Sequence, residues 1–364
     1  MSSSQRKQFG HTYGLVAGLS LHVDGYRLKR NELDVSSGFL RVTTTVVLRG
    51  GGHEGRGEDV TYAAEDHEPY PLALPLAGEW TLDGFSQRLG GLDLFPDRPP
   101  QLEFFRFYRR WAFESAALDL ALRQQGQSLG AALGRDYQPL RFAVSTRLDI
   151  TPWLAVDPAL EFKLDPTPEW DAPLMKRIAA TGRVRVLDFK AFYEGSPVDN
   201  PPDPVQYRDV AAAFPEAILE DPTLTGPARD ALDGEEARFS FDAPIHSLAD
   251  VEGITKMVAA GRLDAGGSFA LRHLNIKPSR FGSLGALLDC VERAQAAGME
   301  LYGGGQFELG VGRDQIQALA SLLYPAGPND VAPRDYHGDA HAGVPRSPLE
   351  PLVQAPGFGF AFRR

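Results

Sequence analysis

Five short apolar segments of this chain each end in one charged residue, and the spacing of those ends constrains the fold more than any other feature. The segments are Leu160–Lys163, Val186–Asp188, Ile218–Glu220, Phe239–Asp242 and Leu274–Lys277. A sixth, Leu301–Gly305, runs into Gln306, Phe307 and Glu308. Successive ends lie 25, 32, 22 and 35 positions apart, around the roughly 31 residues per strand–helix unit of an eightfold barrel of about 250 residues. Parallel barrel strands are buried on both faces. A charge therefore belongs where a strand emerges at its carboxyl end, which is where such barrels hold their chemistry.

Helical spacing and turn signals predict helices near 170–180, 204–214, 248–260, 284–297 and 313–323, alternating with the strands. The first strand is expected at 140–146, and the proline-containing link 149–158 is too short for a full helix. Upstream, Leu15–Val23, Phe39–Leu48 and Glu58–Ala63 read as antiparallel strands, and Phe104–Gln124 as the clearest helix. The glycine-rich stretch 49–58 reads as a hairpin turn, because it lacks the Lys-Ser/Thr ending of a phosphate loop. The fold class is therefore α/β: a (β/α)7β TIM-type barrel at 136–338 with an N-terminal α+β capping domain at 1–135. The Pro-, Gly- and His-rich tail 339–364 is expected to pack on the cap.

With 364 residues the chain can hold both parts. A net charge of −11 gives no basic face for nucleic acid. No membrane span or signal peptide is expected from the N-terminal segment. The single cysteine, Cys290, reads as a buried structural thiol, and its solitude fits a reducing cytoplasm.

Three acids ending successive strands, Asp188, Glu220 and Asp242, suit a hard divalent cation that takes a few carboxylates and leaves positions for water or substrate. Lys163 and Lys277 flank them. A cation there holds a substrate carboxylate and stabilises the charge formed when an α-proton leaves. A lysine base needs a pKa well below the ~10.4 of the free side chain, and a neighbouring cation and burial push it that way.

At these residues the chain resembles the enolase superfamily. Asp188-Phe-Lys190 looks like that family's third-strand Asp-x-Asn, and Ile218-Leu-Glu-Asp-Pro222 like its Glu-Glu-Pro fourth strand. Ser240-Phe-Asp-Ala-Pro244 is similar to its fifth strand, and Asn275-Ile-Lys-Pro278 to its sixth-strand lysine segment. The run Thr43–Leu48 followed by Glu54-Gly-Arg-Gly-Glu58 resembles a strand and turn of the family's cap. The resemblance implies one Mg²⁺ per subunit, with Mn²⁺ as the alternative, held by Asp188, Glu220 and Asp242, and Lys163 and Lys277 as acid/base groups on opposite faces of the substrate.

Two departures stand out. Where the muconate-cycloisomerising branch carries Lys-x-Lys, this chain has Glu161-Phe-Lys163, so that Glu161 replaces the first lysine. Lys190 stands where asparagine is usual and adds a cation beside the metal. No seventh-strand histidine is present, whereas Gly298–Gly305 also resembles methylaspartate ammonia-lyases. Asp221, Glu308, Tyr26, Arg27 and Lys29 are the further residues expected behind the metal ligands or against the substrate. Loops at 24–38 and 49–57 are expected to close over the mouth. His246 and His273 read as structural, and Arg280 as a rim salt bridge.

The expected activity is Mg²⁺-dependent abstraction of a proton α to a carboxylate, leading to elimination, cycloisomerisation or racemisation of a small carboxylic acid. The unequal settings of the two lysines favour a lyase or cycloisomerase. The alternatives are a class I aldolase with Lys277 as the Schiff-base lysine and a non-catalytic barrel that binds a small acid. A cytoplasmic homo-oligomer that binds neither nucleic acid nor membrane completes the expectation.

Overall fold

The strand ends singled out above converge on one rim. In a computed structural model of the protein, which describes residues 10–34, 40–71, 73–194, 198–259 and 271–364, the C-terminal part is a ring of parallel strands. To keep one chain order, the cap strands are β1 (Ser20–Val23), β2 (Gly25–Asp34), β3 (Leu40–Gly50), β4 (His53–Asp59) and β5 (Gly78–Thr81). The barrel strands are β6 (Val144–Thr146), β7 (Phe162–Leu164), β8 (Val184–Asp188), β9 (Ile218–Glu220), β10 (Phe239–Ser240), β11 (His273–Ile276) and β12 (Glu300–Gly303).

Strands β6 to β10 form one parallel sheet in sequence order, and β11 pairs with β12. The ring closes through single bonds. Asn275 N–H donates to Phe241 O, Asp330 N–H to Gly303 O and Ala143 N–H to Asn329 O. Residues 329–330 thus fill the eighth place, followed only by the single 3-10 turn Arg334–His337 and no α-helix, which is the (β/α)7β order expected.

The helices start where side chains cap them. Asp171 accepts from Leu174 N–H, Asp203 from Val205 N–H and Ser283 from Ala286 N–H. Pro204 at the first helical turn adds a fixed φ. The resulting helices, Ala172–Ala180, Pro204–Ala213, Leu248–Ala259, Leu284–Ala296 and Gly312–Leu323, fall close to the predicted spans.

The cap differs more from expectation. The segment 24–38 is not a loop over 25–34 but the ten-residue edge strand β2, paired in register with β3; residues 35–39 lie outside the described residues. The predicted turn at 49–58 is mostly strand. Only Gly51 and Gly52 turn, with φ of 56° and 79°, as a two-residue hairpin with positive φ at both positions requires. The glycines of β4 serve a different end. A Cβ at Gly55 or Gly57 would run into the carbonyls of Ala116 or Ala112 on the helix Phe105–Gln124, so their absence lets that helix lie directly on the strand. At the other end of the cap the first strand begins only at Ser20, after the short helix His11–Gly14.

The tail crosses from barrel to cap. Leu349 pairs with Leu140, and Gly357 N–H donates to Gln127 O while Gly357 O accepts from Leu129 N–H. Phe358 N–H donates to Asp119 on the long helix. No helix among the described residues is long and apolar enough to cross a membrane.

Candidate active site

Asp188, Glu220 and Asp242 leave adjacent strands at the carboxyl rim with no exposed surface, and each offers an oxygen within 4.8 Å of the others. Three equidistant oxygens bonded at about 2.1 Å to one ion lie at most about 3.6 Å apart, so shifts of under about 1 Å at each carboxylate bring all three onto one cation. Burial pushes the Glu220 carboxyl up to about 8, with Asp188 and Asp242 adding to the effect. Asp188 and Asp242 are held low: burial acts to raise them, and the neighbouring cations, Lys190 and Lys163 for the first, Lys277 and Arg280 for the second, outweigh it. Three crowded buried carboxylates, one driven towards its neutral form, fit a divalent cation held by oxygen ligands.

Lys163, 1% exposed, is surrounded by acids. Its Nζ contacts Glu220, lies 3.1 Å from Asp188, 4.0 Å from Asp242 and 3.6 Å from Asp330. Burial works to lower its pKa, and the four carboxylates overcome that and raise it well above the ordinary lysine value. Lys277 meets one acid of the triad, Asp242. Its stem passes under the Gly303–Gly305 run: a Cβ on Gly304 would lie 2.7 Å from Lys277 Cε and 2.5 Å from Asn275 Oδ1. The missing side chain of Gly304 thus leaves the space in which this lysine lies.

Lys190 sits in the left-handed region at φ 57°, which turns its ammonium back onto Asp188 and to within 3.9 Å of Asp165. Asp221, also left-handed at φ 48°, accepts from the N–H groups of Asp242 (2.9 Å) and Ala243 (3.1 Å) and so fixes the end of the fifth strand. It is a support for the rim. Glu308 accepts from Gln306 N–H and pairs with Arg313 at 3.0 Å, and it makes no ion pair with Lys277.

The remaining predicted residues lie elsewhere. Glu161 binds Arg141 and Arg185, and Arg141 also reaches Ala326 O. All of these precede or open a strand whose other end carries the site, so Glu161 belongs to the amino-terminal end of the barrel. Period-two alternation puts 161, 163 and 165 on one face, and the direction of β7 brings Asp165, not Glu161, to the mouth with Lys163. Tyr26 donates to Pro71 O and packs its ring edge-on against Phe113. Arg27 pairs with Glu54 at 3.2 Å, and Lys29 is exposed along β2. None of the three lines the mouth cavity. The 49–52 turn is also remote from it, since Gly50 O accepts from Gln124 at the far end of the long helix.

The cap reaches the mouth through the other end of β4. Glu58 accepts from the N–H groups of Leu309, Gly310 and Gly312 at 2.8–3.0 Å. Arg41, fully buried, donates to the carbonyls of Val42, Val60, Thr61, Gln306 and Phe307.

Several site residues gave no clear signal in the sequence. Tyr302 donates to Glu220 and accepts from the Ser240 hydroxyl at 2.9 Å, and Asn275 donates to Glu220 at 3.0 Å. Asn275 Oδ1 is buried without a partner. Arg280 makes the rim salt bridge expected of it, 3.3 Å from Asp242, but is buried there and also donates to Tyr193 OH. Asn275 could have been found from parity alone, being two places before Lys277 on one strand.

The family model described as "Domain of unknown function (DUF8230) C-terminal domain" matches residues 136–338, and the corresponding N-terminal domain model matches 14–132. An N-succinylamino acid racemase from Thermus thermophilus is 28% identical over 328 residues, covering 83% of this chain and 81% of that protein. Muconate lactonizing enzyme from Klebsiella pneumoniae aligns with a TM-score of 0.63 at 18% identity, over 94% of this chain and 97% of that one. A dipeptide epimerase from Methylococcus capsulatus, in complex with Mg ion, aligns with a TM-score of 0.62 at 18% identity, over 94% and 100%. The resemblance drawn from the strand-end residues is borne out by these relatives: the chain belongs to the DUF8230 family, and its cap and barrel have the fold of the enolase superfamily.

Proposed function

We propose that the protein is a metal-dependent enzyme of the enolase superfamily that removes the proton α to the carboxylate of a small organic acid. The observation that carries this reading is the buried triad Asp188, Glu220 and Asp242, with Lys163 and Lys277 entering it from other strands. Mg²⁺, held by these three carboxylates, would bind the substrate carboxylate and offset the negative charge that develops as the proton leaves.

The residues divide the work unequally. Ion pairs within 4.0 Å join five acids (Asp165, Asp188, Glu220, Asp242, Asp330) to five cations (Arg147, Lys163, Lys190, Lys277, Arg280). A divalent ion added to this balanced set leaves positive charge at the mouth for a carboxylate to meet. Lys163, enclosed by four acids, is suited to remain an ammonium and fix that charge. Lys277, with one acid partner and the glycine-lined path beside it, is the group we assign as base. Lys190 is placed to bind the substrate carboxylate beside the ion.

Names of relatives, a racemase, an epimerase and a lactonizing enzyme, are compatible with one shared first step and different second steps. The aldolase alternative has no use for three buried carboxylates. The test is proton–deuterium exchange at the α-carbon of N-acylamino acids in D2O with Mg²⁺, followed by NMR. Exchange should vanish with a chelator and in Lys277→Ala. Chelator-resistant exchange would contradict the reading.

A further inference from the structure

The mouth cavity, about 290 Å³, has two ends of different character. Lys163, Lys190 and Lys277 line the end over the triad. The other end is walled by Tyr62, Phe307, Tyr336, His337, Trp153 and Leu148. Phe307 and His337 stack there with ring centroids 4.2 Å apart and planes 18° from parallel, and Trp153 lies 4.8 Å from Tyr336. Phe307 is held in place at φ 57° by its own carbonyl, which accepts from Arg41.

The cations at this end each already have partners, with only Arg313 Nε buried without one. Arg147 pairs with Asp165 at 2.7 Å and donates to Val198 O. Arg313, 5% exposed, lies between Glu308 at 3.0 Å and His337 Nε2 at 3.3 Å. Arg41 is saturated by five backbone carbonyls. His337 faces Arg313 and Arg334, and its burial and these two cations hold its pKa down to about 3, so the ring is neutral. A second carboxylate brought here would lose its hydration and find no unpaired cation, a costly exchange. An uncharged ring would meet aromatic faces at stacking distance.

We propose that this outer end receives an uncharged aromatic or large apolar group, so that the substrate is a monocarboxylate whose only charge lies at the metal end. The inference rests on the α-proton reading for its orientation and sets this chain apart from a protein named for a succinyl substrate, which carries a second carboxylate.

The experiment compares N-phenylacetylalanine with N-succinylalanine on the full chain with saturating Mg²⁺. Binding is measured by calorimetry and α-deuterium exchange by NMR on the same pair. The phenylacetyl compound should bind at least tenfold more tightly. Phe307→Ala should remove most of that preference. Leu148→Arg, at a position 60% exposed, should shift the preference towards the succinyl compound by a similar factor. Equal or tighter binding of the succinyl compound to the natural chain, no binding of either, or a preference unmoved by both variants overturns the proposal. If the phenylacetyl preference holds and responds to the variants while neither compound exchanges, the subsite stands and the proton-abstraction reading fails. If the succinyl compound is preferred and exchanges, the reverse follows.

Discussion

At the residue scale, the site joins two kinds of charged group with opposite tasks. Lys163 and Lys277 are chemically alike, yet one touches four acids and the other a single acid of the triad. Removing Lys277 as alanine should lower exchange by about 10²–10⁴-fold, the usual worth of a general base, with little change in Mg²⁺ affinity. The Lys163→Met variant should differ in kind. It leaves three buried acids without their ammonium, so Mg²⁺ titration by calorimetry should show altered affinity as well as lost activity.

Glu220 supplies a pH prediction. Its folded pKa of about 8 exceeds the ordinary 4.5, so between those values the folded protein binds more protons than the unfolded chain and this group's contribution to stability falls as pH rises. Metal-free protein should therefore lose thermal stability from about pH 5 to 8 relative to Glu220→Gln. Mg²⁺ should reverse the slope, because it displaces the proton. A slope identical in both proteins would contradict the assignment.

The five strand-end residues were legible in the sequence because charge at the end of a short apolar run is rare and recurs here at barrel spacing. Glu161 misled because the lysine pattern was read one pleat too early. Positions 161, 163 and 165 share one face, and because the strand runs towards the mouth Asp165 emerges there with Lys163 while Glu161 falls to the other end. Tyr302 was illegible, since nothing local marks a tyrosine as buried against an acid contributed by another strand, whereas for Arg280 the salt bridge was legible and its burial was not.

At the element scale, the barrel helices followed from period, caps and proline, all local signals. The cap sheet did not. β2 is an edge strand with most of its side chains in water, so its Tyr-Arg-Leu-Lys-Arg-Asn run lacks the apolar signature of a strand while keeping its hydrogen bonds. β4 hides behind glycines that are there for contact with the long helix. Gly57→Val should therefore destabilise the protein by at least the ~1–3 kcal/mol typical of overpacking, measured by urea unfolding, because a backbone carbonyl rather than a flexible side chain stands in the way. Glu58 links this strand to the mouth. Glu58→Ala frees the amides of Leu309, Gly310 and Gly312 and should loosen the loop that carries Phe307, raising KM for an aromatic acid more than it lowers kcat.

At the scale of the whole molecule, the cap, the ring and the tail meet around one charged mouth. The ring is closed by few backbone bonds at β10–β11 and at residues 329–330, so the ion pairs across its rim hold the strand ends as much as the sheet does. A divalent ion bound only by the folded state should stabilise it by about 2.7 kcal/mol at a hundred times its Kd. Calorimetric melting with and without Mg²⁺ should show that gain, and Asp242→Asn should abolish it.

The central claim is that three strand ends build one divalent-metal site. Anomalous diffraction from crystals grown with Mn²⁺ tests it most directly. The account predicts a single strong peak about 2.1–2.2 Å from carboxylate oxygens of Asp188, Glu220 and Asp242, with Lys163 and Lys277 drawn off those oxygens. An empty triad at saturating Mn²⁺, or a peak that excludes any one of the three acids, would contradict it.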